Sequence, residues 1–361
     1  MKKLDKYIIG KYMGTFLFTV LIFSLITLII DFSEKVEEFI KKPTTLAEIT
    51  FDYYTTFLIY INGILFPLYA LVAVIFFTSR MASNSEIISI LNAGVSFRRL
   101  LVPYLLAAGA IAGVHFVGNH YFIPMGNKTR IDFENKYIVT DHKRTIDKDI
   151  HMFITPNDKI YVRFYQVQDT TMRDIRLEHF ENNQLTELTK AANAKFLGYP
   201  NKWELKNYEI RTFDEMKETL IFGKGKKIDT TFNLVPEDFV RFHNQKEMMT
   251  TPELYEFIEG EKQRGIGNTQ IYDIEIYRRS ADPLSIIILT LIGVAVAARK
   301  VRGGMGLHLA LGIGIGAIFI FLSRFTQTFA MSETLPAVLG VWLPNIVFGI
   351  VAVYLISKAQ K

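Results

Sequence analysis

Cysteine is absent from all 361 residues, so no disulfide can brace any part of the chain that meets an oxidising compartment. Signatures of nucleotide and hydrolase chemistry are missing as well. The sequence contains no G-x-x-x-x-G-K-[ST], no H-E-x-x-H and no G-x-S-x-G, which excludes nucleotide binding by a P-loop and gives no support to metalloprotease or serine-hydrolase chemistry. There is no internal repeat and no low-complexity linker. The formal charge of +5 is spread over segments that flank apolar runs, so it carries no nucleic-acid signal.

Hydrophobicity is what the chain has in quantity, at 50% of residues. Uncharged runs occupy Tyr12 to Ile30, Tyr53 to Ser79, Leu100 to Phe122, Pro283 to Ala298, Gly303 to Ser323 and Leu335 to Ser357. A helix needs roughly 20 residues to cross ~30 Å of hydrocarbon, and all but the fourth approach or exceed that length. The fourth is expected to borrow Ser280 and Ala281, with Arg278 and Arg279 snorkelling outward. The first lacks a small-residue cleavage site and is too long for a removable signal peptide, so it is expected to be retained. Lys2, Lys3, Lys6 and Lys11, then Arg80, Arg98 and Arg99, then Arg299, Lys300 and Arg302, then Lys358 and Lys361 fall on one side if six helices cross. The positive-inside rule makes that side the cytoplasm.

The insert between the third and fourth spans then lies outside. Ile160, Val162 and Phe164 alternate with polar neighbours, as do Ile175 and Leu177, Trp203 and Leu205, and Tyr208 and Ile210, the period of half-buried strands. Turn clusters separate them at Thr155 to Lys159, Glu181 to Gln184 and Tyr199 to Lys202. Six or seven short strands suggest an antiparallel sandwich or open jelly roll. Past Pro236 a helix is expected from Thr251, with a threonine cap and Pro252 at its first position, and a second from Thr269 leading into the fourth span. The fold class is therefore an α-helical membrane protein with six transmembrane helices (3+3) and an inserted periplasmic antiparallel β domain, jelly-roll-like. The expected division is residues 1–124 for the first three spans, 125–250 for the β domain, 251–280 for a periplasmic helical connector and 281–361 for the last three spans.

Between the second and third spans, Ser83 and Glu86 have capping-box spacing and Gly94 is a helix stop. The short helix between, at about 84–93, cannot span, and Ile87, Ile90 and Leu91 give it one apolar stripe. It either lies among headgroups or docks on a cytoplasmic partner. The absence of a Lys- and Arg-rich polar face, and of any motor in the chain, favours docking.

Other features leave two readings each. His115 and His120, five residues apart, sit on different sides of a helix and suit interhelical hydrogen bonding better than a metal, as does His308. Gly109 and Gly113 read as tight packing within the chain, whereas Gly312, Gly314 and Gly316 serve either packing or a seam that opens. Lys41 and Lys42 lie where an anionic glycolipid would present phosphate, or are neutralised by Glu34, Glu37 and Glu38. Arg324 and Arg130 either snorkel or meet an anionic lipid.

Leu4-Asp-Lys-Tyr-Ile8, Ser85-Glu-Ile-Ile-Ser-Ile-Leu-Asn-Ala-Gly94, Glu253-Leu-Tyr-Glu-Phe-Ile258 and Leu335-Pro-Ala-Val-Leu-Gly-Val-Trp-Leu-Pro344, in this order and topology, resemble the LptF/LptG (YjgP/YjgQ) permeases of lipopolysaccharide export. The C-terminal third is more like the LptG branch. The resemblance implies an inner-membrane subunit of an ABC transporter, without a nucleotide site, catalytic residues or cofactor of its own. It would pair with a second such permease and be driven by a cytoplasmic ATPase dimer. Lipopolysaccharide would enter through gates at the first and fifth helices and pass to a periplasmic bridge of jelly-roll proteins. The short helix would be the coupling helix, with Glu86, Ile87, Ile90 and Leu91 at the ATPase. In the LptG branch, lysines at the outer end of the first span meet lipid phosphates; here Asp31 takes the first such position, leaving Lys35, Lys41 and Lys42. A membrane-anchored periplasmic receptor or envelope assembly factor is the alternative.

Overall fold

The computed structural model describes residues 2–138, 143–145, 148–182, 184–214, 217–242, 245–263, 269–299, 304–332 and 334–359. Among these, six helical stretches are long and apolar enough to cross a membrane. The first is α1 (Lys3–Lys41). A π-helical turn (Glu48–Tyr54) runs into α2 (Thr55–Ser83), and the short α3 (Glu86–Asn92) follows. The third stretch comprises α4 (Phe97–Val117), a π-helical turn (Gly118–Phe122) and α5 (Ile123–Tyr137). After the β segment come α6 (Gln245–Met248), α7 (Thr251–Gln263), α8 (Gln270–Ala297), α9 (Gly304–Met331) and α10 (Ala337–Ala359).

These helices and the β segment form two compact units, the helical one comprising 1–138, 246–254 and 270–361. At its centre stands α8, with 61% of its apolar window buried, whereas α1 and α9 are covered to only 11% and 22%. The core joins Ile8, Tyr12 and Phe16 of α1 to Tyr69, Val74 and Ile75 of α2, Tyr104 and Ala108 of α4, and Ile286 and Ile292 of α8. A polar pin fixes this packing: the Tyr12 hydroxyl lies 2.8 Å from Oγ1 of Thr290 and donates to the Ala70 carbonyl at 3.3 Å. Such bonds hold helices together where apolar lipid supplies little drive for them to associate.

Two expected boundaries move. The third stretch runs through Tyr137 rather than ending near 124, because Arg130, Ile131, Phe133 and Tyr137 fall on one face of α5 and are buried. There Phe133 and Tyr137 join Phe39, Tyr53, Tyr54 and Phe57 in an aromatic cluster. The two helices expected from Thr251 and Thr269 are α7 and α8, and α8 runs as one helix of 28 residues across the expected boundary at 281.

The second unit covers 139–245 and 255–269. Strands β2 (Lys148–Thr155), β3 (Asp158–Gln166), β4 (Thr171–Glu181), β5 (Gln184–Gly198), β6 (Lys202–Asp214) and β7 (Lys217–Thr231) pair in sequence order as an antiparallel meander. The short β1 (Lys143–Thr145) pairs with β8 (Val240–Phe242). The three turn clusters separate β2 from β3, β4 from β5 and β5 from β6. Ile160, Val162, Ile175, Trp203 and Leu205 form its core as their alternation predicts. Beyond Val162 the inward position passes from Phe164 to Tyr165, which stacks on Phe239 with ring centroids 4.5 Å apart. Trp203 donates its indole N–H to the Leu234 carbonyl at 3.0 Å.

At the start of α7 the cap is Thr250 rather than Thr251. Its backbone N–H and hydroxyl both donate to Glu253, at 2.7 and 2.8 Å, so the side chain at the third helical position reaches back to the cap, one half of a capping box. The Thr251 hydroxyl is occupied by Arg279.

Candidate functional site

Chemistry-bearing side chains gather at both ends of the helical unit. At the N-terminal end of α1, Asp5 accepts from the Arg99 guanidinium at 2.7 Å, tying α1 to the first turn of α4. Two residues on, the Tyr7 hydroxyl donates to Oε2 of Glu86 at 3.1 Å, and Nδ2 of Asn84 donates to Oε1 at 3.3 Å. The first residue of α3 is therefore held by α1 and by the turn after α2.

The Ser83 capping box does not form, because Ser83 is the last residue of α2 and the chain turns through Ser85 at φ 62° before α3 begins. Gly94 is the helix stop, with φ 84° and its N–H donating to the Leu91 carbonyl, a backbone state glycine adopts at no steric cost. The apolar stripe turns inward. Ile87 is 1% exposed in the helical core, Ile90 and Leu91 pack against that core, and Ile88, flanking the stripe, is 44% exposed. What α3 presents outward is Ile88, Ser89 and Asn92, beside a half-buried Glu86.

At the other end of α1, Lys35 pairs with Asp31 at 2.8 Å and Glu134 at 3.4 Å and contacts the Tyr53 hydroxyl. Asp31 also accepts from Tyr53 at 2.9 Å. The acid at that position is thus the counter-ion of the lysine one turn later. Arg130 is buried, donating to Asn127 at 2.8 and 3.0 Å and to Glu134 at 2.9 Å, with its guanidinium 4.5 Å from the Tyr60 ring. Lys41 is exposed and pairs with Glu37 at 3.0 Å, a solvated contact worth little. Lys42 is the C-cap of α1 and half-buried.

The most heavily engaged charges were expected to snorkel and do not. Arg279 is 2% exposed. It donates to Glu275 at 3.1 Å, to the Thr251 hydroxyl at 3.0 Å and to the carbonyls of Lys246 and Met249 at 2.9 and 2.8 Å, which fastens the 246–251 segment to α8. Arg278 pairs with Glu275 at 2.8 Å and Asp282 at 3.4 Å. A guanidinium in an apolar surround must be paired and hydrogen-bonded, because a lone charge there costs several kcal/mol. The spacing Glu275, Arg278, Arg279, Asp282 was the available signal, since i, i+3 and i, i+4 neighbours meet on a helix. Arg278 and Asp282 line a cavity of about 220 Å³ with Arg324, Gln327 and Gly316.

The glycines divide by face. An added Cβ at Gly312 would collide with Ile75 and one at Gly316 would come within 2.7 Å of Leu68, whereas Gly314 has nothing within 4 Å. Gly312 and Gly316 therefore set the close approach of α9 to α2. Gly109 and Gly113 have nothing within 4 Å and are exposed, so their small-residue face is not packed inside the chain as expected. His115 is 2.8 Å from the Gly63 carbonyl and His120 is 2.9 Å from the Thr251 hydroxyl, both interhelical bonds. Among the described residues no group of three or more His, Asp or Glu could hold a metal.

Among protein families, the one described as lipopolysaccharide export system permease LptF/LptG matches residues 6–358, nearly the whole chain. Its model takes in both branches. Comparison with curated proteins gives no significant match.

Proposed function

The chain belongs to the LptF/LptG lipopolysaccharide export permease family and is a multi-pass inner-membrane protein, and from that premise we propose that it is the permease subunit of an ATP-driven exporter. In this reading it pairs with a second LptF/LptG-type permease. Together they draw lipopolysaccharide from the outer leaflet of the inner membrane of a Gram-negative bacterium and deliver it to periplasmic bridge proteins. Both termini face the cytoplasm and the β unit faces the periplasm, a reading supported by the Lys and Arg distribution. Hydrolysis belongs to a separate cytoplasmic ATPase dimer, since the chain carries no P-loop.

The observation that carries the reading is the anchoring of α3. A seven-residue helix with Ile87 in the core and Glu86 hydrogen-bonded to α1 cannot move without moving its neighbours. A partner bound to Ile88, Ser89, Asn92 and the free side of Glu86 would therefore displace α1, α2 and α4 as it changes shape. Ile87, Ile90 and Leu91 transmit that motion from inside rather than touching the ATPase. The gate reading for α1 and α9 is supported by their low coverage, because helices left bare by their own chain face lipid or a partner. Gly312 and Gly316 let α9 lie close on α2, so a gate motion would part that contact.

Contact with lipid phosphate falls to Lys41, Lys42 and Arg324, because Lys35 and Arg130 are held in largely buried pairs with Asp31, Glu134 and Asn127, whereas the pairing of Lys41 with Glu37 is open to solvent and readily exchanged. The test of the function is purification of the chain from its native membrane in mild detergent. An ATPase and a related six-span chain should co-purify with the wild type, and the ATPase should be lost from Glu86→Lys while membrane insertion is kept. An ATPase retained in full by Glu86→Lys overturns the docking assignment.

A further inference from the structure

Beside the Tyr7–Glu86 hydrogen bond, α1, α2 and the turn into α3 enclose a cavity of about 580 Å³. Its walls are graded in polarity. By their order along the helices, Lys11, Arg80 and Glu86 fall toward one end and Phe18, Phe76 and Phe77 toward the other. Lys11 and Phe18 are seven residues apart, so the gradient extends over ~10 Å of helix. Two cations face a single carboxylate, and that carboxylate already accepts from Tyr7 and Asn84, which leaves the polar end with excess positive charge. Along α1 between Tyr7 and Phe18, Gly10 and Gly14 present bare backbone, where an added Cβ meets nothing within 4 Å. The cavity thus combines a cationic mouth, a smooth floor and an aromatic wall.

We propose that this cavity holds one anionic glycerophospholipid, its phosphate on Lys11 and Arg80 and an acyl chain laid along Gly10 and Gly14. Ammonium and guanidinium groups are the side chains that suit a phosphate ester, and basic residues next to a span draw anionic lipid to the headgroup level. A zwitterionic lipid would bring its own cation and gain less. The bound headgroup would sit next to Glu86, so lipid occupancy and the seating of α3 would favour one another. Which leaflet supplies the lipid rests on the topology proposed above and would be the cytoplasmic one; binding itself does not depend on it.

The test is native mass spectrometry of the full-length chain in mild detergent, titrated with dioleoylphosphatidylglycerol, dioleoylphosphatidylcholine or a bis-phosphorylated lipid A. The expected result is one retained phosphatidylglycerol, preferred over phosphatidylcholine and not displaced by lipid A. Lys11→Gln and Arg80→Gln should each weaken its retention about tenfold, and Lys11→Arg should restore it. Gly10→Leu with Gly14→Leu should remove the lipid without lowering the melting temperature, because those side chains enter empty space.

Equal retention of the two phospholipids, or indifference to both sets of variants, overturns the proposal. Preferential capture of lipid A would assign the cavity to cargo, and loss of a permease dimer in the glycine variants would assign the α1 face to another chain; either result overturns it as well. A failed Glu86 docking experiment leaves this binding result untouched, so the two readings stand or fall separately.

Discussion

The Tyr7 hydroxyl donates to the Glu86 carboxylate across 79 positions of sequence, and with Asp5 on Arg99 it makes the start of α1 a fixed neighbour of α3. Removing the hydroxyl alone takes away one exposed hydrogen bond, ~0.5–1.5 kcal/mol. Tyr7→Phe should therefore fold and keep the ATPase bound, but loosen the link between α3 and α1. The expected outcome is normal co-purification with reduced ATP-driven lipopolysaccharide release. Unchanged transport in Tyr7→Phe would remove α1 from the coupling route.

Glu275 neutralises two guanidinium groups that the helices enclose. Glu275→Ala leaves Arg279 without its acid, and breaking a buried pair from one side costs about 3–5 kcal/mol. The melting temperature of the detergent-solubilised chain should fall markedly. Arg279→Lys should also destabilise, since one ammonium cannot reach the four acceptors that the guanidinium fork serves. A melting temperature unchanged by Glu275→Ala would mean that the cluster does not hold the 246–251 segment on α8.

The glycines of α9 give a face-by-face test. Gly312→Leu forces a side chain into Ile75, and overpacking of this kind costs about 1–3 kcal/mol. Gly314→Leu enters open space and should leave stability unchanged. Ile75→Ala should rescue Gly312→Leu in part by making room. Equal effects at positions 312 and 314, measured by thermal unfolding, would contradict the assigned α9–α2 contact.

In the β unit, Nδ1 of His179 lies 2.6 Å from Asp158, with Glu181 at 3.7 Å. The hydrogen bond to Asp158 raises the His179 pKa above the ordinary imidazole value of 6.5. A raised folded-state value means that the contribution to stability is fully present below about pH 6.5 and is lost as the pH climbs through the folded value. NMR titration of the histidine rings in the full-length chain should find His179 titrating above 6.5, with the shift lost in Asp158→Asn. A value at or below 6.5 in the wild type would contradict the pair.

Much of this architecture was legible in the sequence, for reasons that also explain what was not. Five apolar runs near spanning length announce helices by composition alone, and the alternation at Ile160 and Val162 and at Trp203 and Leu205 announces strands. α5 was hidden because its exposed face is strongly polar, so Phe133 and Tyr137, the two residues that carry it into the aromatic cluster, are diluted among charged neighbours. Arg278 and Arg279 depart from expectation because snorkelling is the default for a cation near a span end, and only the three-dimensional arrangement reveals that the 246–251 carbonyls close over Arg279. Capping-box spacing drew attention to Glu86 although the box itself does not form, and nothing in the sequence signals that Tyr7 reaches it, nor that Ile87 faces the chain's own core. Small-xxx-small spacing is the same at Gly109 and Gly113 as at Gly312 and Gly316, yet only the second pair has a neighbouring helix within this chain.

The most direct test of the central claim, that force enters from the cytoplasm through α3, exploits the absence of cysteine. Ser89→Cys places a single thiol on the exposed side of α3, and intact spheroplasts are treated with a membrane-impermeant maleimide before and after lysis. The account predicts labelling only after lysis, and protection of the thiol when the ATPase is bound. Labelling of that thiol in intact spheroplasts would put α3 on the outer face and contradict the mechanism.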